Sequence, residues 1–425
     1  MMLYLISPPN LIKSAIQLPS SKSISNRVLI IHALAQGINE IERLSDCDDT
    51  KVMIKALTEK GETIDIKAAG TAMRFLTAYL SIMPGEHIIT GTERMQQRPI
   101  GILIDALRQL GANITYMNKE GFPPLRIRGQ QHLKENNNIL LTGNISSQYI
   151  SALLMIGPIL NNGLHLQLEG EIVSRPYIDL TIRLMNEFGA DVSWTSPQNI
   201  TVKPQPYQDI PFTVESDWTA ASYWYQLVAL SSSPKTIMEL PGLLQNSYQG
   251  DRRCADIFNS LGVSTEFLQE GVNIKKNNTP VPEYLEEDFT DVPDLAQTLV
   301  VTCCLLNVHF HFTGLESLKI KETDRITALK TELAKLGFIL HEENNNVLYW
   351  NGERCTPNSN PEIQTYEDHR MAMAFAPASL IFGNIKIASP QVVSKSYPNY
   401  WGDLMGVGFT ISESQNYTEN SNVIH

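Results

Sequence analysis

The chain has 425 residues, 43% of them hydrophobic, and its 33 Lys and Arg against 45 Asp and Glu leave a formal net charge of -12. That balance argues against a nucleic-acid surface. No apolar run approaches the length of a membrane span and the amino terminus lacks the pattern of a signal peptide, so a cytoplasmic protein without membrane contact is expected. Cys47, Cys254, Cys303, Cys304 and Cys355 are odd in number and show no C-x-x-C spacing. They signal neither a disulfide framework nor a zinc site and read as buried small apolar groups. The length exceeds what one ordinary core needs, which favours two domains.

In chain order, Met1 to Gln17 holds two short apolar runs, and Leu18-Pro19-Ser20-Ser21 breaks the chain before Lys22-Ser23-Ile24-Ser25-Asn26-Arg27 opens a helix. Unpaired N–H groups, hydroxyls and two cations make this start suited to a phosphate or carboxylate. Ala69-Gly70-Thr71-Ala72-Met73-Arg74 opens the next such helix, with a glycine where a ligand can approach the backbone closely. Further starts centre on Ser147, preceded by Asn144 and Ser146 and followed by Gln148, and then on Thr219, Asp294 and His369. About 40 residues after each start a second helix stops at a glycine, namely Gly61, Gly111, Gly189, Gly262, Gly337 and Gly408. Six repeats in two groups of three follow from this spacing.

The cations gather at the same starts: Lys22, Arg27, Arg74, Arg98, Arg175, Lys321, Arg325, Arg370 and Lys395. An acidic protein that collects its cations beside Ser, Thr and Gly is built to hold a small anion. Individually the motifs are ambiguous. Pro293 and Asp294 suit any helix first turn, and Lys321-Glu322-Thr323-Asp324-Arg325, read as sharing a helix face, would look the same as a surface ion-pair ladder.

As an ordered set they resemble the 5-enolpyruvylshikimate-3-phosphate synthases. The resemblance rests on Pro19 to Arg27, A-G-T-A-M-R at Ala69 to Arg74, Arg98-Pro99-Ile100-Gly101, Ser146-Ser147-Gln148, Ser174-Arg175-Pro176-Tyr177, K-E-T-D-R at Lys321 to Arg325 and Asp368 to Arg370. It runs from about Leu18 to Trp401 and implies an α/β, two-domain inside-out barrel of six βαβαββ repeats. The implied domains are residues 20–240, mainly on the shikimate 3-phosphate side, and residues 1–19 with 241–412, mainly on the phosphoenolpyruvate side. Residues 413–425, rich in Asn, Ser and Glu, read as a disordered tail.

The implied reaction moves the enolpyruvyl group of phosphoenolpyruvate to the 5-hydroxyl of shikimate 3-phosphate by addition and elimination. Residue by residue, the resemblance places Lys22, Ser23, Arg27, Ser146, Ser147, Gln148, Ser174, Tyr177, Ser317 and Lys321 on shikimate 3-phosphate. It places Gly70, Thr71, Arg98, Arg325, Arg370 and Lys395 on phosphoenolpyruvate, with Lys22 touching both and His369 among the substrate-binding residues. Asp294 is the implied base for the hydroxyl and Glu322 the acid and base at the methylene carbon, with Lys22 assisting. Cations flanking Glu322 would lower its pKa and desolvation would raise it. No metal or other cofactor is implied, the herbicide glyphosate is the implied inhibitor at the donor site, and the family is usually monomeric.

The chain departs from the family pattern in having Ala68 and Ser317 where Asn is usual and Phe75 where Pro is common, and in a first unit shortened to the single strand Thr63 to Ile66. Two other readings fit parts of the pattern. UDP-N-acetylglucosamine enolpyruvyl transferase shares fold and donor but matches poorly at K-E-T-D-R and uses a loop cysteine with no counterpart here. A non-catalytic binder of phosphorylated metabolites would keep the cations and lose Asp294 and Glu322.

Overall fold

The structure is a computed structural model and describes residues 2–9, 12, 15–59, 61–130, 137–277 and 279–415. Three of its sheets repeat one pattern, in which two parallel strands are joined by a helix, a second helix follows, and a hairpin adds antiparallel to the second strand, and a fourth keeps the parallel pair without the hairpin. Thr63–Asp65, Gly85–Thr90, Asn113–Tyr116 and Leu125–Gly129 form the first such sheet, and Asn138–Thr142, Leu164–Glu169, Val192–Ser196 and Asn199–Val202 the next. In the later half the strands are Tyr284–Asp288, His309–Thr313, His341–Glu343 and Val347–Trp350. The last sheet takes Glu362–Ile363, Ile385–Ala388 and Thr410–Gln415 and borrows the amino-terminal strand Met2–Ser7, where Leu5 lies between Lys386 and Ser412. Residues 413–415, expected in a disordered tail, are therefore strand; residues 416–425 lie outside the described residues.

The two remaining units are incomplete and exchange strands. Ile41–Glu42 pairs in parallel with Phe212–Thr213, while Ala15 bridges in parallel to Glu239 in Ile237–Pro241. The two chain passages meet where Ser20 bridges Ser216. Thr63–Asp65, expected to close the first unit, instead pairs with Gly85–Thr90 and begins the second.

The first helix of each unit is apolar nearly all round, so it can only be buried. Gly70–Ile82 exposes no residue and buries all but Tyr79, and Trp218–Leu230 buries all but Thr219. The strands alternate, as in Leu164–Glu169, so one face covers these helices and the other meets solvent. Helices lie inside and sheets outside. One core collects buried side chains from Ile24 to Val214, and the other collects Ile6, Ile16, Leu18 and then Trp218 to Phe409. The helix Trp218–Leu230 packs in the second core, so the change of core falls between Val214 and Trp218 and not near Leu240.

The second helix of each unit ends as its glycine requires. At Arg175–Glu187, Gly189 takes φ 82° while its N–H and that of Ala190 bond back to Asn186 and Met185. Gly111, Gly262, Gly337 and Gly408 likewise have positive φ, whereas Gly61 does not, and its helix has already ended at Thr58.

Candidate functional site

The buried first helices leave one end free, their amino termini, where N–H groups have no intrahelical acceptor. Ser21 caps Lys22–Leu34 by accepting from the Ile24 N–H, Ser146 caps Ser147–Ile156, Asp217 caps Trp218–Leu230, and Asp368 caps His369–Phe375. Asp217 also accepts from the Lys22 backbone N–H at 3.3 Å, which brings starts from both halves together.

On the later half's wall, charges interlock. Arg325 donates from Nε to Asp368 at 2.7 Å, from Nη1 to Asp294 at 3.1 Å and from Nη2 to Glu322 at 2.9 Å. Arg370 donates to the other Asp294 oxygen at 2.8 Å and to the Tyr223 hydroxyl at 3.3 Å. Lys395 bonds Glu322 at 2.7 Å, and Lys321 Nζ lies 3.7 Å from Asp294. Four cations thus face three carboxylates. Burial alone would push Asp294 and Glu322 up, but Arg370, Lys321 and Arg325 hold Asp294 well below the usual carboxylate range, and Lys395, Arg325 and Arg98 do the same for Glu322. The opposition left open for Glu322 is resolved toward the charged form. Burial moves Lys321 down despite Asp294, because two guanidiniums lie closer to that carboxylate than its ammonium does.

K-E-T-D-R is not a helix face. Lys321 ends a 3-10 turn, and the helix begins only at Arg325, because Asp324 caps it by accepting from Thr327. Lys321 and Arg325 meet at Asp294, not along a helix. Ser317 lies in the same 3-10 turn, and its buried Oγ has no hydrogen-bond partner among the described residues. His369 is buried, neither ring nitrogen has a hydrogen-bond partner among those residues, and burial with Arg370 beside it keeps the ring neutral.

The earlier half's wall pairs its cations mostly with neutral groups. Ser147 and Ser174 are buried, Ser146 is exposed, and Gln148 donates to the Thr71 hydroxyl at 3.3 Å. Lys22 Nζ stands 3.8 Å from Asp49; burial would favour its neutral form, but Asp49 and Glu322 keep the ammonium above its ordinary pKa. Arg27 is placed deeper than expected. Its guanidinium donates to Thr181 at 2.7 Å, to the Ser23 carbonyl at 2.9 Å, and to Ser151 and the Tyr177 carbonyl at 3.3 Å, so every nitrogen has a partner in its own half. Arg74 is likewise structural: it donates to the carbonyls of Gly70 and Pro99, and Pro99 also accepts from Tyr149, which ties A-G-T-A-M-R to R-P-I-G. Arg98 then lies over Gly70, where an added Cβ would stand 2.7 Å from its Nη1. Arg175 leaves the group, with its guanidinium 4.1 Å over the Trp194 ring.

The two walls touch. Arg94 donates to the Glu322 carbonyl at 3.3 Å, Ser394 to Asp48 at 2.5 Å, Ser174 N–H to the Thr290 carbonyl at 2.9 Å, and Tyr177 to Asp251 at 3.2 Å. Asp49 and Asp251 were not singled out from the sequence, and Asp368 only as the first residue of the Asp368 to Arg370 motif, without a role of its own. Asp368 had a signal, since it precedes His369 as a cap would. Nothing in the local pattern marks the other two.

A fold with inward helices, helix starts facing one another and a cationic seam holding ionised carboxylates suits two anionic substrates and proton transfer between them. The family model described as EPSP synthase (3-phosphoshikimate 1-carboxyvinyltransferase) matches residues 6–66 and 58–404. A 3-phosphoshikimate 1-carboxyvinyltransferase of Bacteroides fragilis is 66% identical over 410 residues, covering 96% of this chain and 99% of the relative. One from Cellvibrio japonicus is 37% identical over 424 residues, covering 93% and 97%. The solved EPSP synthase of Acinetobacter baumannii superposes with a TM-score of 0.77 over 98% of this chain and 100% of that one; at 21% identity it speaks for the fold alone. On the family match and these relatives together, the chain belongs to the EPSP synthase family.

Proposed function

We propose that this cleft transfers the enolpyruvyl group of phosphoenolpyruvate to the 5-hydroxyl of shikimate 3-phosphate and releases phosphate. The observation that carries the reading is the pair Asp294 and Glu322, two carboxylates held ionised in a buried seam by Arg325, Arg370, Lys321 and Lys395. Asp294 takes the hydroxyl proton. Glu322, charged at rest, relays a proton from the Lys22 ammonium to the methylene carbon and later takes one back from the methyl group as phosphate leaves, and the cations offset the negative charge of donor and intermediate.

In this reading Ser23, Ser146, Ser147, Gln148, Ser174, Tyr177 and Lys321 receive the acceptor. Arg98, Arg370 and Lys395 receive the donor beside Gly70 and Thr71. Arg27 supports the acceptor site from beneath through the Ser23 and Tyr177 carbonyls. The two cores act as domains hinged at the passages near Ser20 and Ser216, which is supported by the strand exchange there. A monomeric state and inhibition by glyphosate are carried by the resemblance alone.

A coupled phosphate-release assay with both substrates tests the reading. Release that requires both substrates is expected; release with UDP-N-acetylglucosamine in place of shikimate 3-phosphate would overturn the choice of acceptor.

A further inference from the structure

Asp251 is buried to 3% exposure, yet it belongs to none of the motifs above. It sits in the 3-10 turn Gly250–Arg252 of the later half, and its partners are side-chain hydroxyls. Tyr177, on the helix Arg175–Glu187 of the earlier half, donates to its two oxygens at 3.2 and 3.3 Å, and Thr219, at the start of Trp218–Leu230, donates to Oδ2. The approach is close because position 250 is glycine: a Cβ there would lie 2.4 Å from Cβ of Pro176, the residue before Tyr177.

The turn is held from several sides. Gln249 donates to Glu215 and to the Ser216 carbonyl and accepts from the Trp218 N–H, and Arg183 holds the Ser247 carbonyl at 2.8 Å. Asp251 is therefore a rigidly mounted acceptor reaching across the junction of the two halves.

We propose that Asp251 is a positioning residue for the transfer: it takes the Tyr177 hydroxyl hydrogen and so turns the phenol oxygen toward the acceptor substrate as a hydrogen-bond acceptor. This rests on the reading of the cleft just given. A phenol has one hydrogen. While that hydrogen is committed to Asp251, the oxygen can accept from a substrate hydroxyl; once Asp251 is protonated, the hydrogen is freed and the phenol becomes a donor.

The charged neighbours favour such a change near neutrality. Facing Asp251 are Asp294 from Pro293–Leu295, Asp217 from the cap of Trp218–Leu230, Arg370 from His369–Phe375 and Tyr177 itself. Burial first, and the Asp294 carboxylate second, push the Asp251 carboxyl up to about 7 against the pull of Thr219 and Arg370.

Calorimetric titration of the full chain with shikimate 3-phosphate, and separately with phosphoenolpyruvate, needs no turnover and separates the two readings. The variants are Asp251→Asn, Tyr177→Phe and the double variant, each measured from mildly acidic to mildly alkaline pH. The proposal expects Asp251→Asn to weaken shikimate 3-phosphate roughly tenfold while leaving phosphoenolpyruvate unchanged. The double variant should be no worse than Tyr177→Phe alone. Beyond the inflection from the ligand's own phosphate, which titrates at about 6 in every variant, wild-type binding should show a second near-neutral inflection that vanishes in both single variants, a readout that a merely structural role would not move. Additive losses in the double variant, or the wild-type pH profile retained in Asp251→Asn, overturn the proposal. If Asp251→Asn does not fold, the pH profile of Tyr177→Phe decides alone, and the second inflection kept there overturns it equally. Wild-type protein that binds the acceptor but releases no phosphate defeats the transfer and spares the positioning role; wild-type protein that binds no acceptor defeats both.

Discussion

The two walls of the cleft carry their positive charge in different ways. On the later half, Arg325 and Arg370 spend their donors on Asp294, Glu322 and Asp368, so a buried network nearly balances itself before any substrate arrives. On the earlier half, Arg27 and Arg74 donate to hydroxyls and backbone carbonyls, and the Lys22 ammonium stands 3.8 Å from Asp49. Charge solvated by neutral dipoles inside the fold, as at Arg27 and Arg74, braces the wall and leaves Lys22 to face an anion, while charge paired with carboxylate must be shared or exchanged. In the proposed reading the later wall carries the two reacting carboxylates, Asp294 and Glu322, while the earlier wall contributes Lys22 and neutral donors.

The largest effect should come from neutralising the reactive wall. Asp294→Asn and Glu322→Gln keep size and polarity, and each should lower turnover on the order of a hundredfold or more with modest change in substrate affinity. Steady-state kinetics for both substrates checks this, and near-normal kcat in either variant removes that carboxylate from the chemistry.

Arg370→Ala should raise the KM for phosphoenolpyruvate roughly tenfold or more while shikimate 3-phosphate is less affected, since it removes a donor from Asp294 and Tyr223 and a cation from the donor side. Equal losses for both substrates would mean that the two walls do not divide the ligands.

A difference in acid stability should follow from the same network. Asp294 has a folded-state pKa below its unfolded value, so its contribution is present above the ordinary carboxyl value and is lost as pH falls through the folded-state value. At neutral pH, Asp294→Asn should lower the Tm by a few degrees, on the order of 1–3 kcal/mol for a part-buried pair. That gap should shrink as the pH falls below about 4. A constant gap across thermal scans would show that the carboxylate's charge contributes nothing to stability.

Gly70→Ala should be the mildest change. The added methyl meets the end of the flexible Arg98 side chain, so Tm should hold while the displaced guanidinium weakens phosphoenolpyruvate by roughly threefold and glyphosate by more. Equal fractional changes in the glyphosate inhibition constant and the donor KM would show that the methyl does not discriminate between them.

Much of the frame was legible because its causes are local. A serine or aspartate before an apolar run caps a helix wherever it stands, as at Lys22, Ser147, Trp218 and His369, and the uncapped starts at Gly70 and Pro293 follow from the apolar runs behind them, so all six fall within a residue of the positions read from the sequence. The glycines at 111, 189, 262, 337 and 408 stop helices because a left-handed residue is needed there. K-E-T-D-R was misread as a helix face for the converse reason: its spacing fits a helix, but Asp324 caps the helix late and leaves Lys321 and Glu322 in the preceding turn.

What only the tertiary structure decided is who meets whom. Strands as short as Ile41–Glu42 and Phe212–Thr213 have no periodicity to read, so the exchange between the two halves was invisible along the chain. Arg27 and Lys22 stand five residues apart and look alike in sequence, yet one is buried against Thr181 and Ser151 while the other faces the cleft seam. Whether a charge is spent inside the fold or kept for a ligand depends on partners more than a hundred residues away, brought near by packing of the apolar helices. The sequence by itself determined the units and where each one turns its polar end; the packing of the units decided which of those ends became a site, because hydrogen-bond partners and desolvation exist only once the chain has closed on itself.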